Sequence, residues 1–269
     1  MVDTATRTGY VPVDGLEVYY EIHGSGRPLI LLHGALSATE SSFGALWPTL
    51  AQTHQVISVE QQAHGHTADI DRPLTIPQMA RDTSAVLDHL GIAQADVIAY
   101  SMGAGIALEI AIKWPDLVRK LVVVSVAHQT AGLHPGLLEG LDEIKPENLV
   151  GTPWHEEYLR IAPRPDDFAT LVAKVGEMNR HIPEWPADAV ASIEAPTLIV
   201  VGDSDIVRPE HAVEMFRLRG GGLIGDLAGL PASQLAILPG TPHSTITQRA
   251  DLLLPMITSF LDAPMPEGR

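Results

Sequence analysis

The stretch VIAYSMGAG, residues 97–105, runs apolar to a tyrosine, carries one serine among small residues, and continues as the helical pattern IALEIAIKW. A strand that ends before Ser101 and a helix that begins after it leave this serine on a very tight turn. Such a turn tolerates only small neighbours, which Ala99 and Gly103 provide. The turn is predicted to lift the hydroxyl out of a sheet. It also places the Met102 amide at a helix N-terminus, where developing negative charge is stabilised.

The composition limits the kinds of partner that this chain can bind. At 269 residues and 45% hydrophobic, the chain can bury a large core as one sizeable domain with an insertion, or as two modest domains. Its formal charge is −16 and it has no basic run, so nucleic acid and anionic membranes are poor partners. The absence of cysteine excludes disulfides, a thiol nucleophile and thiolate metal sites.

The chain shows no targeting or membrane-spanning pattern. Residues 1–15 lack the charged start and the continuous apolar core of a signal peptide. Later apolar runs fall short of the roughly 18 residues that a spanning helix needs. These patterns predict a cytoplasmic protein without a membrane partner.

Short β-rich segments alternate with helical patterns along the chain. The strand candidates are LEVYYEIHG, PLILLHG, QVISVE, ADVIAYS, KLVVVSVA, PTLIVVGD and QLAILPG. The helix candidates span 76–90, 102–114, 208–218 and 251–261. Apolar strands separated by helices predict an α/β fold with a mostly parallel, doubly wound sheet. The alternating EVYYEIH is predicted to lie in an antiparallel edge hairpin.

This rhythm is interrupted once, between about residues 128 and 191. The segment has no strand pattern and consists of short helical pieces separated by prolines. We therefore expect a core in two parts, residues 1–127 and 192–269, with a helical cap inserted as residues 128–191. The cap is expected to cover the carboxyl ends of the strands, where open α/β sheets bind ligands.

A serine becomes a nucleophile when a base takes its proton and an acid orients that base. Among twelve histidines, His243 is the best candidate base because it lies on a loop after the last strand candidate. His89 and His211 fall on predicted helices and are expected at the surface. PTLIVVGDSDIV supplies two candidate acids after a strand, Asp203 and Asp205.

The small-x-Ser-x-Gly pattern resembles the nucleophile elbow of the α/β-hydrolase superfamily, with Ala99 where glycine is commoner. The resemblance implies that Ser101 is the nucleophile and His243 the base. The strand-Gly-x-x-Asp pattern of the superfamily implies that Asp205 is the acid and leaves Asp203 in reserve. Some relatives carry the acid one strand earlier, but KLVVVSVAHQ has no carboxylate.

Two further segments carry the resemblance. His33-Gly34 after a strand is similar to the superfamily's HG-x motif, which implies that Ala35 and Met102 supply the N–H groups of an oxyanion hole. His33 is then expected to brace the loop. VEQQAHGHTAD resembles the signature D-x-R-G-H-G-x-S. Glu60 replaces its acid and Gln62 its arginine, so the usual ion pair of this loop is not expected in the same form.

The resemblance covers nearly the whole chain except the cap and the tails. It implies a serine carboxylesterase-like enzyme with a helical cap, which takes a small-molecule ester of small or medium apolar character and needs no cofactor. No metal is expected, since His64-x-His66 lacks a third ligand at motif spacing. The sequence does not indicate an oligomeric state.

Other functions remain open within this resemblance. Dehalogenases and epoxide hydrolases carry aspartate at the elbow, which Ser101 argues against, and carbon–carbon bond hydrolases have a longer Gly/Pro-rich loop after HG. A lactonase and a cofactor-free perhydrolase of the haloperoxidase type remain alternatives. Some members of this fold are non-catalytic ligand receptors, which is the alternative from another class.

The apolar residues of the predicted cap allow two interpretations. They can line a substrate pocket, or they can pack the cap onto the core, which is the commoner role for aromatic side chains at irregular spacing. The residues concerned are Trp154, Tyr158, Phe168, Met178 and Trp185.

Overall fold

The computed structural model describes residues 7–266. Residues 1–6, the start of the segment that lacks signal-peptide features, and residues 267–269 lie outside the described part. Across residues 7–266, every helix is too short or too polar to cross a membrane.

Eight strands form one sheet, which is parallel from the third to the eighth strand of the chain. The strands are β1 (Arg7–Val13), β2 (Leu16–His23), β3 (Arg27–Leu32), β4 (His54–Val59), β5 (Ala95–Tyr100), β6 (Val118–Val124), β7 (Thr197–Ser204) and β8 (Ser233–Pro242). Their order across the sheet is β1-β2-β4-β3-β5-β6-β7-β8. The predicted α/β class and mostly parallel sheet are confirmed.

The helices lie on both faces of the sheet and in its connections. They are α1 (Thr39–Phe43), α2 (Trp47–Leu50), α3 (Ile76–His89), α4 (Met102–Lys113), α5 (Leu137–Asp142), α6 (Pro146–Leu149), α7 (Pro153–Ile161), α8 (Phe168–Arg180), α9 (Ala187–Ala191), α10 (Pro209–Leu218), α11 (Gly225–Ala228) and α12 (Ala250–Asp262). The four predicted helices correspond to α3, α4, α10 and α12. Helices α5 to α9 follow one another between β6 and β7, within the range predicted as an insertion.

The last four residues of β3, β5 and β6 are apolar or aromatic, and both faces of these strands are covered. Ile30 and Leu32 of β3 point into one core, whereas Leu29 and Leu31 point into a second core on the opposite face. Alternating side chains of a strand point to opposite sides of the sheet, so a fully apolar strand is buried on both sides. β5 lies between β3 and β6 in the interior of this sheet.

The predicted antiparallel edge hairpin is present, but one of its two strands was not predicted. β2 does belong to a hairpin, but the edge strand is β1, whose sequence RTGYVPV was not predicted as a strand. Gly9 and Pro12 weaken its strand pattern. A proline is tolerated at an edge because it need not donate to a neighbouring strand.

Parallel strands bring their carboxyl ends to one side of the sheet, so the loops after β3, β5, β6, β7 and β8 meet there. The last two strands approach closely at this edge. A Cβ atom on Gly202 would lie 1.8 Å from the Thr241 carbonyl oxygen, so only glycine permits the contact. This approach brings the loop after β7 beside the loop after β8.

Candidate active site

Ser101 occupies a strained turn between β5 and α4. Its backbone has φ 53° and ψ −117°, a conformation that L-residues rarely adopt, and α4 begins at Met102. A Cβ atom on Gly103 would lie 2.1 Å from the Leu32 carbonyl oxygen, so glycine is required where the helix passes β3. Gly105 is different, because a Cβ there would make ordinary contacts at 3.5 Å. The serine is thus held at the carboxyl edge of the sheet by a turn that its neighbours make possible.

A chain of hydrogen bonds joins three residues that lie far apart in sequence. Ser101 Oγ lies 3.0 Å from His243 Nε2, and His243 Nδ1 lies 2.9 Å from Asp205 Oδ1. The carboxylate accepts from Nδ1–H, which leaves the Nε2 lone pair directed at the serine hydroxyl. Asp203 lies apart from this chain and accepts from the backbone amides of Gly240 and Thr241.

The Asp205 carboxylate is fully buried and surrounded by donors. Ser125 Oγ donates to its Oδ2 at 2.5 Å, and the amides of Gly202 and Val207 donate at 3.3 Å. Burial raises the pKa of Asp205, but the hydrogen bonds and the positive charge that His243 can carry outweigh burial, so the pKa lies below its usual value. The carboxylate is therefore ionised when His243 becomes protonated.

The loop after β3 contains the expected oxyanion residue, Ala35. His33 lies beneath it, with Nδ1 donating to the Gly34 carbonyl at 2.8 Å and Nε2 accepting from the Gln61 amide at 3.0 Å. Burial lowers the pKa of His33, which keeps the ring neutral. Ala35 and Met102 both line the same cavity as Ser101.

The loop after β4 has one ion pair and one hydrogen bond of a neutral amide in place of the usual ion pair. Glu60 pairs with His66 at 2.9 Å, while the Gln62 amide donates to Asp69 at 2.7 Å. Burial raises the pKa of Glu60, yet hydrogen bonds from His66 outweigh it and the net pKa is lowered. Among the described residues, no side chain of this loop forms a hydrogen bond with the Ser101 hydroxyl.

A cavity of about 300 Å³ opens over Ser101. Within residues 7–266, no aspartate, glutamate, lysine or arginine lines it, and most of its wall is apolar. The wall contributed by residues 128–191 consists mainly of leucines, isoleucines and two tryptophans from α5 to α8 and the loops beside these helices. Polar groups concentrate at the Ser101 end and at Gln129, Thr130 and Asn179. The site suits an uncharged molecule with apolar substituents.

The apolar residues of the predicted cap divide between the two expected roles. Trp154, Met178 and Trp185 line the cavity. Tyr158 and Phe168 are buried against each other, with ring centroids 5.3 Å apart, and pack the helices together. Both roles are therefore present on neighbouring helices.

A second histidine cluster was not predicted. His211 was expected at the surface, and this was wrong: its side chain is 2% exposed, because α10 turns it towards the segment after β6. It stacks on His128 with ring centroids 4.6 Å apart, and its Nδ1 lies 3.1 Å from Glu214. A helical position alone does not reveal which side of α10 another segment covers.

This cluster is a poor metal site despite its composition. The ligand atoms of His128, His211 and Glu214 lie within 4.8 Å of one another. However, imidazoles bind metals in the ring plane, and these rings stack with an interplanar angle of only 20°. His211 Nε2 also accepts the His128 amide at 3.2 Å. Two parallel rings with one occupied lone pair do not converge on an ion.

Two functional-site neighbours were missed by the sequence interpretation. Ser125 contacts Asp205, and Tyr100 donates to the His243 carbonyl oxygen at 2.9 Å. Each lies at the carboxyl end of an apolar strand, as Ser101 and Asp205 do. A search for polar residues at every such strand end would have found both.

Comparison with known families gives one match that covers more than half of the chain. The sequence model described as alpha/beta hydrolase fold matches residues 27–175. This range includes the turn at Ser101 and the loop at Ala35.

Similar proteins match over nearly the whole chain. A protein provisionally named carbamate hydrolase RutD, from Azorhizobium caulinodans, is 25% identical over 91% of this chain and 94% of its own. A non-heme haloperoxidase from Rhodococcus erythropolis is 25% identical over 93% of this chain and 97% of its own. A crystal structure of CarC, a serine hydrolase involved in carbazole degradation, has a TM-score of 0.76 at 20% identity and covers 96% of this chain and 99% of its own.

Proposed function

This chain belongs to the alpha/beta hydrolase fold family, and from that premise we propose that it is a serine hydrolase that cleaves uncharged carboxylic esters of small or medium apolar character. One observation carries the proposal. The hydrogen-bond chain from Ser101 Oγ through His243 to Asp205, with steps of 3.0 and 2.9 Å, ends at the floor of an apolar cavity.

The first half of the reaction forms an acyl-enzyme. Ser101 Oγ attacks the ester carbonyl carbon while its proton moves to His243 Nε2. The buried Asp205 carboxylate stabilises the resulting imidazolium, and the low pKa of this acid keeps it charged. When the tetrahedral intermediate collapses, the C–O bond to the alcohol breaks and the alcohol takes the proton from His243.

The second half of the reaction transfers the acyl group to water. His243 removes a proton from a water molecule, whose oxygen attacks the acyl carbonyl. The bond to Ser101 Oγ then breaks, the serine oxygen takes back the proton that His243 holds, and the carboxylic acid leaves. This series of reaction steps needs no cofactor.

The negatively charged oxygen that forms in both halves of the reaction requires hydrogen-bond donors that already point towards it. We assign this role to the amides of Ala35 and Met102. The first amide of α4 has no partner four residues earlier, so Met102 can donate to an incoming oxygen. Each aligned donor is worth about 3 kcal/mol of transition-state stabilisation.

The cavity supports an uncharged substrate. Moving an ion from water into a cavity whose wall carries no opposite charge is costly in free energy, because apolar surroundings do not replace the ion's hydration. The volume of about 300 Å³ is at the small end for ligand sites. Short acyl esters and lactones fit these limits better than long lipids or anionic acids.

The proposal is tested by replacing the nucleophile. Ser101→Ala should lower hydrolysis of p-nitrophenyl butyrate to below about one thousandth of the wild-type rate while leaving the thermal melt nearly unchanged. Retained hydrolysis would reject Ser101 as the nucleophile. A fluorophosphonate probe that fails to label Ser101 would favour the receptor alternative.

The similarity to a haloperoxidase supports one further assay. With acetate and peroxide, a perhydrolase forms peracetic acid, which oxidises bromide and thereby brominates monochlorodimedone. Hydrolysis of esters without this bromination would favour the esterase function. A panel of lactones beside open-chain esters separates the remaining alternative.

A further inference from the structure

We propose that Glu157 is a positioning residue for the oxyanion hole, which it holds from a helix that lies far from the loop in sequence. The proposal rests on the proposed function for its catalytic consequence. Glu157 lies on α7 and is 8% exposed. It is buried against the turn that follows the loop after β3.

The Glu157 carboxylate accepts three hydrogen bonds at the start of α1. The amides of Ala38 and Ser41 donate to its two oxygens at 3.1 Å each, and the Ser41 hydroxyl donates at 2.5 Å. Hydrogen bonds to an ionised acceptor are about twice as strong as neutral ones. Three of them on a buried group fix the position of residues 38–41.

Residues 38–41 also fix the peptide bond that carries the N–H group of Ala35. Ser42 Oγ accepts the Gly34 amide at 3.3 Å, and Ser37 Oγ lies 2.8 Å from Ser42 Oγ. Ser37 Oγ also donates to the Gly34 carbonyl at 2.9 Å, as His33 Nδ1 does at 2.8 Å.

The Gly34 carbonyl and the Ala35 amide belong to the same peptide bond. In a planar trans peptide the C=O and N–H groups point in opposite directions. Two donors on the carbonyl oxygen therefore set the direction of the Ala35 N–H. Leu36 has φ 61°, so the loop is strained and needs such support.

The same helix also forms part of the cavity wall. Trp154 lies one turn before Glu157 on α7 and lines the cavity over Ser101. One rigid helix thus joins the substrate wall to the loop that contains Ala35.

The test compares Glu157→Ala and Glu157→Gln with Glu156→Ala. Glu156 is the adjacent residue of the same helix, but its side chain is 66% exposed and lies 3.8 Å from His155 Nδ1. The Glu157→Gln substitution keeps the chain length and one carbonyl acceptor, so that variant should lie between the wild type and Glu157→Ala. It also preserves the comparison if the alanine variant does not fold.

Residue-resolved hydrogen exchange measures the support directly. Exchange at the amides of Gly34 and Ser42, which donate to Ser42 Oγ and to the Ala38 carbonyl and not to Glu157, should rise about tenfold in Glu157→Ala, less in Glu157→Gln and not in Glu156→Ala. Unchanged exchange at these residues would overturn the inference. This measurement does not depend on activity, so it stands even if the chain fails to hydrolyse esters.

Kinetics measure the catalytic consequence. With p-nitrophenyl butyrate, kcat of Glu157→Ala should fall about tenfold while KM stays within twofold, because the lost alignment acts on the transition state. Affinity for phenylboronic acid, whose adduct with Ser101 carries an oxygen in the oxyanion hole, should fall in the same proportion. A wild-type kcat in this variant would overturn the inference, whereas absence of Ser101-dependent hydrolysis in the wild type would reject the proposed function instead.

Discussion

His243 and His211 both hold a carboxylate through Nδ1, at 2.9 and 3.1 Å, but their surroundings differ. The Nε2 of His243 faces Ser101 at 3.0 Å in a cavity, whereas the Nε2 of His211 accepts a backbone amide. Asp205 is fully buried, while the Glu214 side chain is 49% exposed. An imidazole–carboxylate pair therefore does not by itself identify the proposed base. The ring also needs a free lone pair that faces a substrate site.

Replacing Asp205 and Glu214 by their amides should give the largest difference in kcat between the two histidine–carboxylate pairs. Asp205→Asn should lower kcat by about 10⁴-fold, or about 5 kcal/mol, because an amide can stabilise the wrong tautomer of His243 and cannot stabilise its cation. Glu214→Gln should change kcat less than about twofold. Steady-state kinetics on p-nitrophenyl butyrate measures both. Similar losses in the two variants would contradict the distinction between the histidines.

Shortening His211 should affect stability rather than catalysis. His211→Ala removes a buried ring that packs against Gly132 and leaves the His128 amide without its acceptor. We expect the free energy of unfolding to fall by about 2 kcal/mol. His89→Ala, on the exposed face of α3, is the control and should stay within about 0.5 kcal/mol. Urea unfolding measures both; a large loss of kcat in folded His211→Ala would reject the structural role.

Removing the Ser125 hydroxyl, a hydrogen-bond donor to Asp205, should reduce the difference in surroundings between Asp205 and Glu214. Ser125→Ala deletes the hydroxyl that helps to hold the pKa of Asp205 low, and kcat should fall about tenfold, or about 1.4 kcal/mol. Ser204→Ala is the matched control, because Ser204 contacts the exposed Asp203. Equal kcat values for Ser125→Ala and the wild type would show that the other donors suffice.

The smallest expected effect is a pH dependence of stability from His211. Burial and then the neighbouring His128 lower the pKa of His211 below 6.5, against the opposing charge of Glu214. Below pH 6.5 the unfolded chain therefore binds a proton that the folded chain does not, and stability falls as the pH falls. His211→Gln removes this difference and keeps an acceptor.

The measurement is urea unfolding at about pH 5.5 and about pH 8. The wild type should lose more stability on acidification than His211→Gln, by at most about 1 kcal/mol. Equal losses would mean that His211 is not a titrating group in this range. His64, whose pKa burial lowers to about 3, acts in the same direction in both proteins and cancels in the comparison.

Much of the architecture was predictable because it depends on local patterns. The apolar strands, the helices ended by Gly91 or Pro115, and the tight turn at Ser101 each follow from residues near one another in sequence. The edge strand β1 was missed because its stabilisation comes from β2 and not from its own pattern. The histidines show the same division, since only the partner segment decides whether His211 is buried.

The sequence by itself determined that a serine lies at the carboxyl edge of a mostly parallel sheet, because strand periodicity and small residues act over a few positions. The strand-Gly-x-x-Asp pattern already favoured Asp205 over Asp203, but only the tertiary structure brought Asp205 to His243 and the Glu157 carboxylate to the Ala38 amide. These contacts join residues 38 and 119 positions apart in sequence. They depend on strand order, register and side-chain direction, which no local pattern specifies.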